Sequence, residues 1–377
     1  MDRRERLLAT LRGEAVDRAP VSFYELNGLD ENPHDKSPFN IYSDPSWSPL
    51  IDLTREKTDR IVMRSLTTLA AQPDSTEVVS ETETVLRDGS CFTTRHIHVE
   101  GRTLTTRTRR DPDVNTLWTL EHLLKDVDDL QAFLKLPVPA FDGTVDVGPV
   151  TQAESLLGDT GIVMIDTPDP LCMAASLFDM AEYTVTAMTE PELFHELLEH
   201  FAVPLLARTE AVAKALPGRL WRIHGPEYAA APYLPPRLFE EYVCRYVTPM
   251  IDLIHRHDGY ARIHSHGNLK GILDHIVEMN ADALDPIEPP PQGDVELAFV
   301  RERYGNKLVL FGNLEVSDIE NLPTEQFVEK VKRALDEGTA GNGRGFVLMP
   351  SACPYGRELS QLALKNYGEI IEIVEKW

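Results

Sequence analysis

The chain has 377 residues, 42% of them hydrophobic, and a formal net charge of −24 from 37 basic and 61 acidic residues. This length allows one large barrel or two ordinary domains, with enough apolar residues for a sizeable core. The acidic balance argues against nucleic acid and anionic membranes as partners, because both bind basic patches.

The sequence shows no sign of targeting, of a membrane span or of a disulfide framework. No apolar run follows the charged residues 1–6, so we predict no signal peptide. No stretch approaches the roughly 20 apolar residues that a membrane span needs. The four cysteines, Cys91, Cys172, Cys244 and Cys353, are widely spaced. We therefore expect a cytoplasmic protein, and the composition leaves its oligomeric state open, a homodimer included.

We predict one domain spanning 1–377. Its first 150 residues are predicted to contain helices, a long loop and an antiparallel meander. Thr and Val alternate with charged residues between 77 and 110, which predicts about three antiparallel strands inserted into that domain. The other elements predicted here are helices over 4–12, 50–57 and 118–134, a loop over 27–50, and a connection over 137–149.

From residue 160 onward, apolar strands alternate with amphipathic helices, which predicts βα units on a parallel sheet. With two earlier segments, the predicted strands are 21–26, 60–63, 161–166, 220–225, 260–266, 283–288, 308–313 and 346–351. Eight parallel strands close a barrel, so we predict an α/β fold of the (β/α)₈ TIM-barrel type. A doubly wound open sheet is the alternative. Against it, the glycine-rich run 341–345 precedes its strand, the reverse of a dinucleotide fingerprint.

In barrel enzymes the working residues lie at the C-terminal ends of the strands. Those positions here are Glu25, Asp166, His224 with Glu227, His264 with His266, Glu288, Asn313 and Cys353. Any one of them alone would be an ordinary core residue, a hydrogen-bonded histidine or a small apolar cysteine. Their concentration, and the i, i+2 spacing that puts His264 and His266 on one face, indicates a site.

Imidazole, carboxylate and thiolate are ligands that zinc accepts, so we predict that His264, His266, Glu288 and Cys353 bind one Zn²⁺. Such an ion acts as a Lewis acid or lowers the pKa of a bound water. The spacing of these residues alone predicts a metal-assisted enzyme, and it leaves open whether that enzyme is a lyase, a hydrolase or a transferase.

Several stretches resemble the uroporphyrinogen decarboxylase superfamily. They are Arg4–Gly13 with Asp17–Pro20, His264–Asp285, Tyr304–Leu308 and Phe311–Asn313. This resemblance covers most of the chain, least clearly residues 27–110, and it too implies a (β/α)₈ barrel.

Two chemistries compete within that superfamily. The decarboxylases use no metal and carry an Arg-rich motif near the N-terminus, whereas the residues after Tyr24 here are acidic. The corrinoid-dependent methyltransferases hold zinc with a His-x-Cys pair and a later Cys, and exchange methyl groups with a separate cobalamin-carrying protein. His264-Ser265-His266 matches that pair with His in place of Cys, and Cys353 matches the later Cys. Glu288 stands where the more distant cobalamin-independent methionine synthase has a zinc-binding Glu.

A second imidazole in place of a thiolate makes the predicted zinc site harder and more Lewis-acidic, which suits an ether oxygen better than a thiol. The resemblance thus implies methyl transfer from a small, methoxylated donor to a corrinoid protein, an O-demethylase type of reaction. By position, Glu227, Asp166 and Asn313 are the candidate catalytic residues, and His224 and Glu25 are candidate substrate contacts. A metal-free decarboxylase of a porphyrinogen-like or aromatic acid is the alternative enzyme, and a non-catalytic binding protein is the third hypothesis.

Overall fold

The computed structural model describes residues 1–65, 68–70, 79–138 and 141–377. Within them, seven parallel strands form one curled sheet in the order β1-β8-β9-β10-β11-β12-β13. The strands are β1 (Arg60–Arg64), β2 (Thr68–Ala70), β3 (Val79–Arg87), β4 (Ser90–Val99), β5 (Arg102–Arg110), β6 (Leu117–Glu121), β7 (Phe141–Val145), β8 (Gly161–Pro168), β9 (Leu220–His224), β10 (Tyr260–His264), β11 (Ala283–Asp285), β12 (Val309–Leu314) and β13 (Phe346–Pro350).

Helices cover the outside of this sheet, as the alternating pattern predicts. They are α1 (Arg3–Arg12), α2 (Ser48–Lys57), α3 (Val127–Phe133), α4 (Gly148–Leu157), α5 (Pro170–Ala175), α6 (Met180–Thr189), α7 (Pro191–Ala215), α8 (Arg237–Phe239), α9 (Arg245–Arg256), α10 (Leu273–Glu278), α11 (Leu297–Tyr304), α12 (Val316–Asn321), α13 (Thr324–Gly338) and α14 (Gln361–Lys376). A π-helical turn, Glu240–Cys244, joins α8 to α9. No helix in the described ranges is long and apolar enough to cross a membrane.

Strand alternation divides the core into two layers. Residues such as Trp221 and Ile223 face the helices, while the inner cluster includes Ile162 and Met164 together with Leu7 of α1. Because Leu7 packs against residues early in the strands, α1 closes the N-terminal end of the barrel. Towards the C-terminal ends the inward positions become polar: they are Asp166, Arg222, His224, Arg262, His264 and Asp285.

The strand predicted over 21–26 is much shorter in the structure. Only Val21 occupies the eighth strand position of the barrel. Val21 makes a parallel bridge to Leu348 of β13. On the other side its carbonyl oxygen accepts a hydrogen bond of 2.7 Å from the backbone N–H of Asp59, just before β1. A turn from Phe23 to Leu26, with Glu25 at a left-handed φ of 58°, ends the extended segment.

The buried carboxylate of Asp59 joins α1 and the extended segment at Val21 to the barrel. Asp59 is fully buried and pairs with Arg6 at 2.6 Å and with Arg18 at 2.8 Å. The same carboxylate accepts a hydrogen bond of 2.9 Å from the backbone N–H of Val21. The closure of the barrel therefore depends on ion pairs as well as on backbone hydrogen bonds.

The meander has four strands, β3-β4-β5-β6, rather than about three. The helix predicted over 118–134 is wrong in its first part, because Leu117–Glu121 pairs with β5 as a strand. The helix itself starts only after Asp126, whose side chain accepts from the N–H of Asp129. The predicted connection over 137–149 contains β7, which pairs with β2, and residues 77 and 78 of the predicted insertion lie outside the described ranges.

Candidate active site at the strand ends

The register of the parallel sheet brings the inward polar residues together in pairs. His264 lies beside His224 on one neighbouring strand and beside Asp285 on the other. Asp166 lies beside Arg222 in the same way. The C-terminal ends of β8 to β11 therefore form one continuous polar wall, as expected for the active end of a barrel of this type.

His264 is buried in a network that engages both of its ring nitrogens. Its Nδ1 lies 2.8 Å from Oδ2 of Asp285, and its Nε2 lies 3.5 Å from the hydroxyl oxygen of Tyr24. Arg262 pairs with the other Asp285 oxygen at 2.9 Å. Burial lowers the pKa of His264 to about 4 despite the neighbouring carboxylate. Burial opposes ionisation of Asp285, but Arg262 and His264 outweigh it and lower its pKa to about 2. The network is therefore a neutral imidazole beside an ion pair.

His266 is more open than His264 and forms a second carboxylate pair. Its Nδ1 lies 2.9 Å from Oε1 of Glu288, whose Oε2 accepts from the N–H of Gly267 at 2.6 Å. Burial opposes charge on His266, but the contact with Glu288 outweighs it and raises the pKa of His266. The two histidine rings lie nearly perpendicular with centroids 4.6 Å apart. Nε2 of His266 has no hydrogen-bond partner among the described residues, so a ligand can reach it.

Glu227 lies just past β9, in a 3₁₀ turn of Pro226–Ala229. Burial raises its pKa, and its buried Oε2 has no hydrogen-bond partner within the described parts of the chain. Asp169 is similar: its Oδ1 accepts from the N–H of Cys172 at 2.6 Å, while its buried Oδ2 is unpaired. Burial, with a smaller contribution from Glu227, raises the pKa of Asp169 well above its usual range.

Asp166, His224 and Glu25 gather around Arg222. Oδ1 of Asp166 lies 3.3 Å from Nδ1 of His224 and 3.6 Å from Nε of Arg222. Oε1 of Glu25 lies 3.9 Å from Nη1 of Arg222, at the more exposed rim. Burial opposes ionisation of Asp166, but His224 and Arg222 outweigh it and lower its pKa. These three predicted residues are thus brought together.

Cys353 and Asn313 stand apart from this cluster. Cys353 lies beside Tyr42, and burial raises the pKa of its thiol well above the usual range. Asn313 is half-buried and borders a surface cavity with Pro289 and Glu315. Among the described residues, no group of three or more His, Cys, Asp or Glu side chains is arranged to hold a metal ion. The four predicted zinc ligands are not gathered into such a group as they are arranged here, so zinc binding by this set stays a prediction.

The structure adds residues that the sequence analysis missed. Arg222 and Asp285 occupy inward positions of predicted strands, and the spacing of Arg222 two residues before His224 could have identified it. Glu315 follows β12, and its Oε2 accepts from the Ser351 hydroxyl at 3.3 Å. Burial and the nearby charge of Glu288 raise the pKa of Glu315 to about 7. The position of Glu315 one residue past the end of a strand is the sequence feature that could have identified it.

Comparisons with known proteins agree with this architecture. Residues 164–363 match the family model for uroporphyrinogen decarboxylase (URO-D). No curated protein matches the chain. Among solved structures, a methyltransferase from Methanosarcina mazei is similar with a TM-score of 0.64 and 15% sequence identity, over 100% of this chain and 99% of that chain. At this identity the similarity shows a shared fold.

The family match begins inside β8 and ends in the first turn of α14, so it contains every strand end from Asp166 to Glu315. The matched segment is more than half of the 377 residues. The chain therefore belongs to the uroporphyrinogen decarboxylase family.

Proposed function

We propose that this protein is a methyltransferase that removes a methyl group from a small, uncharged methoxylated donor at the strand-end site. Family membership supports an enzyme of the decarboxylase or the methyltransferase type. The methyltransferase named among the similar structures has the same fold over its whole length. The charge of the site favours the methyltransferase type.

The observation that carries the proposal is the excess of acidic side chains at the strand ends. Arg262 is paired with Asp285, and among the described residues Arg222 lies beside both Asp166 and Glu25 at the inner surface of the site. The carboxyl groups there are Glu25, Asp166, Glu227, Glu288 and Glu315. A substrate with several carboxylates would find Arg222 already beside two carboxylates of the protein, whereas a neutral ether needs no cation.

In the proposed reaction the bond between the donor oxygen and its methyl carbon breaks, and the methyl carbon bonds to a nucleophilic acceptor. The electron pair of the broken bond stays on the oxygen, which needs a proton to leave as a hydroxyl group. Glu227 is suited to supply that proton, because burial raises its pKa and so favours its protonated form. The His266–Glu288 pair lies within electrostatic reach of it and can restore the proton from solvent.

The acceptor that the family resemblance implies is a corrinoid protein, and zinc is the metal it implies. Both remain predictions. Zinc binding by the predicted set would require His264 to release a ring partner and Cys353 to lose its proton. Metal content of protein purified without chelator, compared with His266→Ala and Cys353→Ala, tests this. One zinc per chain that is lost in both variants would support the set, and equal metal content in all three proteins would contradict it.

The assay that tests the proposed function uses free cob(I)alamin as the acceptor and guaiacol labelled with ¹³C in its methoxyl group as the donor. We expect the label to appear on the methyl group of methylcobalamin, with catechol as the other product. A parallel reaction with benzoic acid derivatives measures release of CO₂. Release of CO₂ without any methyl transfer would contradict the proposal and favour the decarboxylase.

A further inference from the structure

Three buried polar atoms at the end of β8 and β9 face one another without making a hydrogen bond. They are Oδ1 of Asp166, Nε of Arg222 and Nδ1 of His224, and none has a hydrogen-bond partner among the described residues. The Asp166 oxygen lies 3.6 Å from the Arg222 nitrogen and 3.3 Å from the His224 nitrogen. The Asp166–Arg222 separation exceeds hydrogen-bond distance, and the closer Asp166–His224 contact makes no hydrogen bond, so proximity alone does not satisfy these groups.

One other atom of Asp166 and one of Arg222 already have partners. Oδ2 of Asp166 accepts from the Ser65 hydroxyl at 3.5 Å. Nη1 of Arg222 contacts Sδ of Met63 at 2.9 Å, and its guanidinium lies 5.4 Å from the Tyr24 ring centroid. The Arg222 side chain is only 10% exposed, against 25% for His224. Leaving buried groups of this kind unpaired is costly, so a ligand or water that pairs them is expected to bind.

The three atoms together define the chemistry of that ligand group. Asp166 is held ionised and can only accept, whereas the Arg222 nitrogen can only donate. A carboxylate ligand would be repelled by the negative charge of Asp166. An ammonium ligand would be repelled by the positive charge of Arg222. A hydroxyl group is uncharged and both donates and accepts, so it satisfies the acid and the arginine at once.

We infer that Asp166, Arg222 and His224 form a subsite for a hydroxyl group of the substrate. The inference rests on the proposed function in one respect: the hydroxyl group belongs to the methoxylated donor. The substrate class becomes a methoxylated compound that also carries a free hydroxyl group, such as a methoxyphenol.

A pair of ligands that differ only in the hydroxyl group tests the inference by binding alone, without catalysis. Isothermal titration calorimetry compares guaiacol with anisole on the wild-type protein and on Asp166→Ala. We expect guaiacol to bind about tenfold to a hundredfold more tightly to the wild type, because hydrogen bonds to charged groups give that much discrimination. The preference should disappear in Asp166→Ala. It should persist in Asp252→Ala, which removes an exposed carboxylate on α9.

Equal affinities for guaiacol and anisole, or no binding of guaiacol, would overturn the inference. So would an unchanged preference in Asp166→Ala. Circular dichroism checks the fold, and Asp166→Asn replaces the alanine variant if that variant does not fold. A hydroxyl preference without methyl transfer would leave the subsite standing and remove the proposed function. Methyl transfer without a hydroxyl preference would do the reverse.

Discussion

Asp169 and Glu227 each carry an unpaired, buried carboxyl oxygen. Neither side chain makes an ion pair among the described residues, and burial raises the pKa of both. Asp169 is fully buried and caps α5, which continues from the turn after β8. It has no exposed oxygen, so its role is to position this turn and not to touch substrate.

Replacement of Asp169 by Asn should remove a pH dependence of stability while keeping the helix cap, since Asn caps helices as well as Asp. The folded pKa of Asp169 is raised above its unfolded value, so its contribution to stability is full below about pH 4 and is lost as pH rises. Wild type should therefore lose free energy of unfolding relative to Asp169→Asn between acidic and neutral pH. Urea unfolding at several pH values measures this, and parallel curves would contradict it.

The pair of His266 and Glu288 gives a second prediction for single residues. Contact with Glu288 is the main influence that raises the pKa of His266 against burial. In Glu288→Gln the pKa of His266 should therefore fall, because the negative charge is gone and burial remains. Titration of the His266 ring by NMR follows this directly, with exposed His34 as the internal reference. A pKa that stays the same or rises would show that the pair does not form.

Among the structural elements, the short extended segment at Val21 closes the barrel. Val21 contributes one bridge to β13 and one hydrogen bond to the residue before β1. Asp59 compensates for this limited pairing, because its two oxygens hold Arg6 of α1 and Arg18 together with the Val21 amide. The ion pairs thus link the N-terminal helix, the first strand position and β1.

Asp59→Ala should lower the free energy of unfolding by about 3 kcal/mol, the lower end of the range for a broken buried ion pair, because Arg6 keeps its pair with Asp17 while Arg18 loses its partner. Asp52→Ala is the control: Asp52 pairs with Arg55 on the exposed face of α2, where an ion pair contributes at most about 1 kcal/mol. Chemical denaturation of both variants measures the difference. Similar losses in the two variants would contradict the role given to Asp59.

The strand and helix alternation after residue 160 was predictable because each buried strand has its own apolar run between turn residues. The strand over 21–26 was not, since the left-handed conformation of Glu25 is imposed by the barrel mouth and not by local pattern. The helix predicted from residue 118 was wrong over its first turn, because the pairing of Leu117–Glu121 with β5 is set by tertiary contacts that the local pattern does not show. Strand-end positions identified His224, His264 and Asp166 as neighbours. The partners of His264 depend on sheet register, which spacing along one chain does not give.

At the scale of the whole molecule, one barrel end collects the polar residues while the opposite end is closed by the apolar face of α1. The inner wall changes from Met164 and Phe311 to Asp166 and His264 within two or three residues along each strand. The chain as a whole is acidic, with a net charge of −24, so a partner protein that delivers or accepts the methyl group is expected to present a basic surface.

The proposed methyl transfer depends on Glu227 protonating the leaving oxygen. The most direct test is the rate of methyl transfer from guaiacol to cob(I)alamin in wild type, Glu227→Gln and the control Glu199→Gln. Glu199 is half-exposed on α7, far from the strand ends, and pairs with Arg245. We predict a loss of about a hundredfold or more in Glu227→Gln, the usual contribution of a general acid, and less than about a twofold change in the control. A Glu227→Gln variant that transfers methyl groups as fast as wild type would contradict the account.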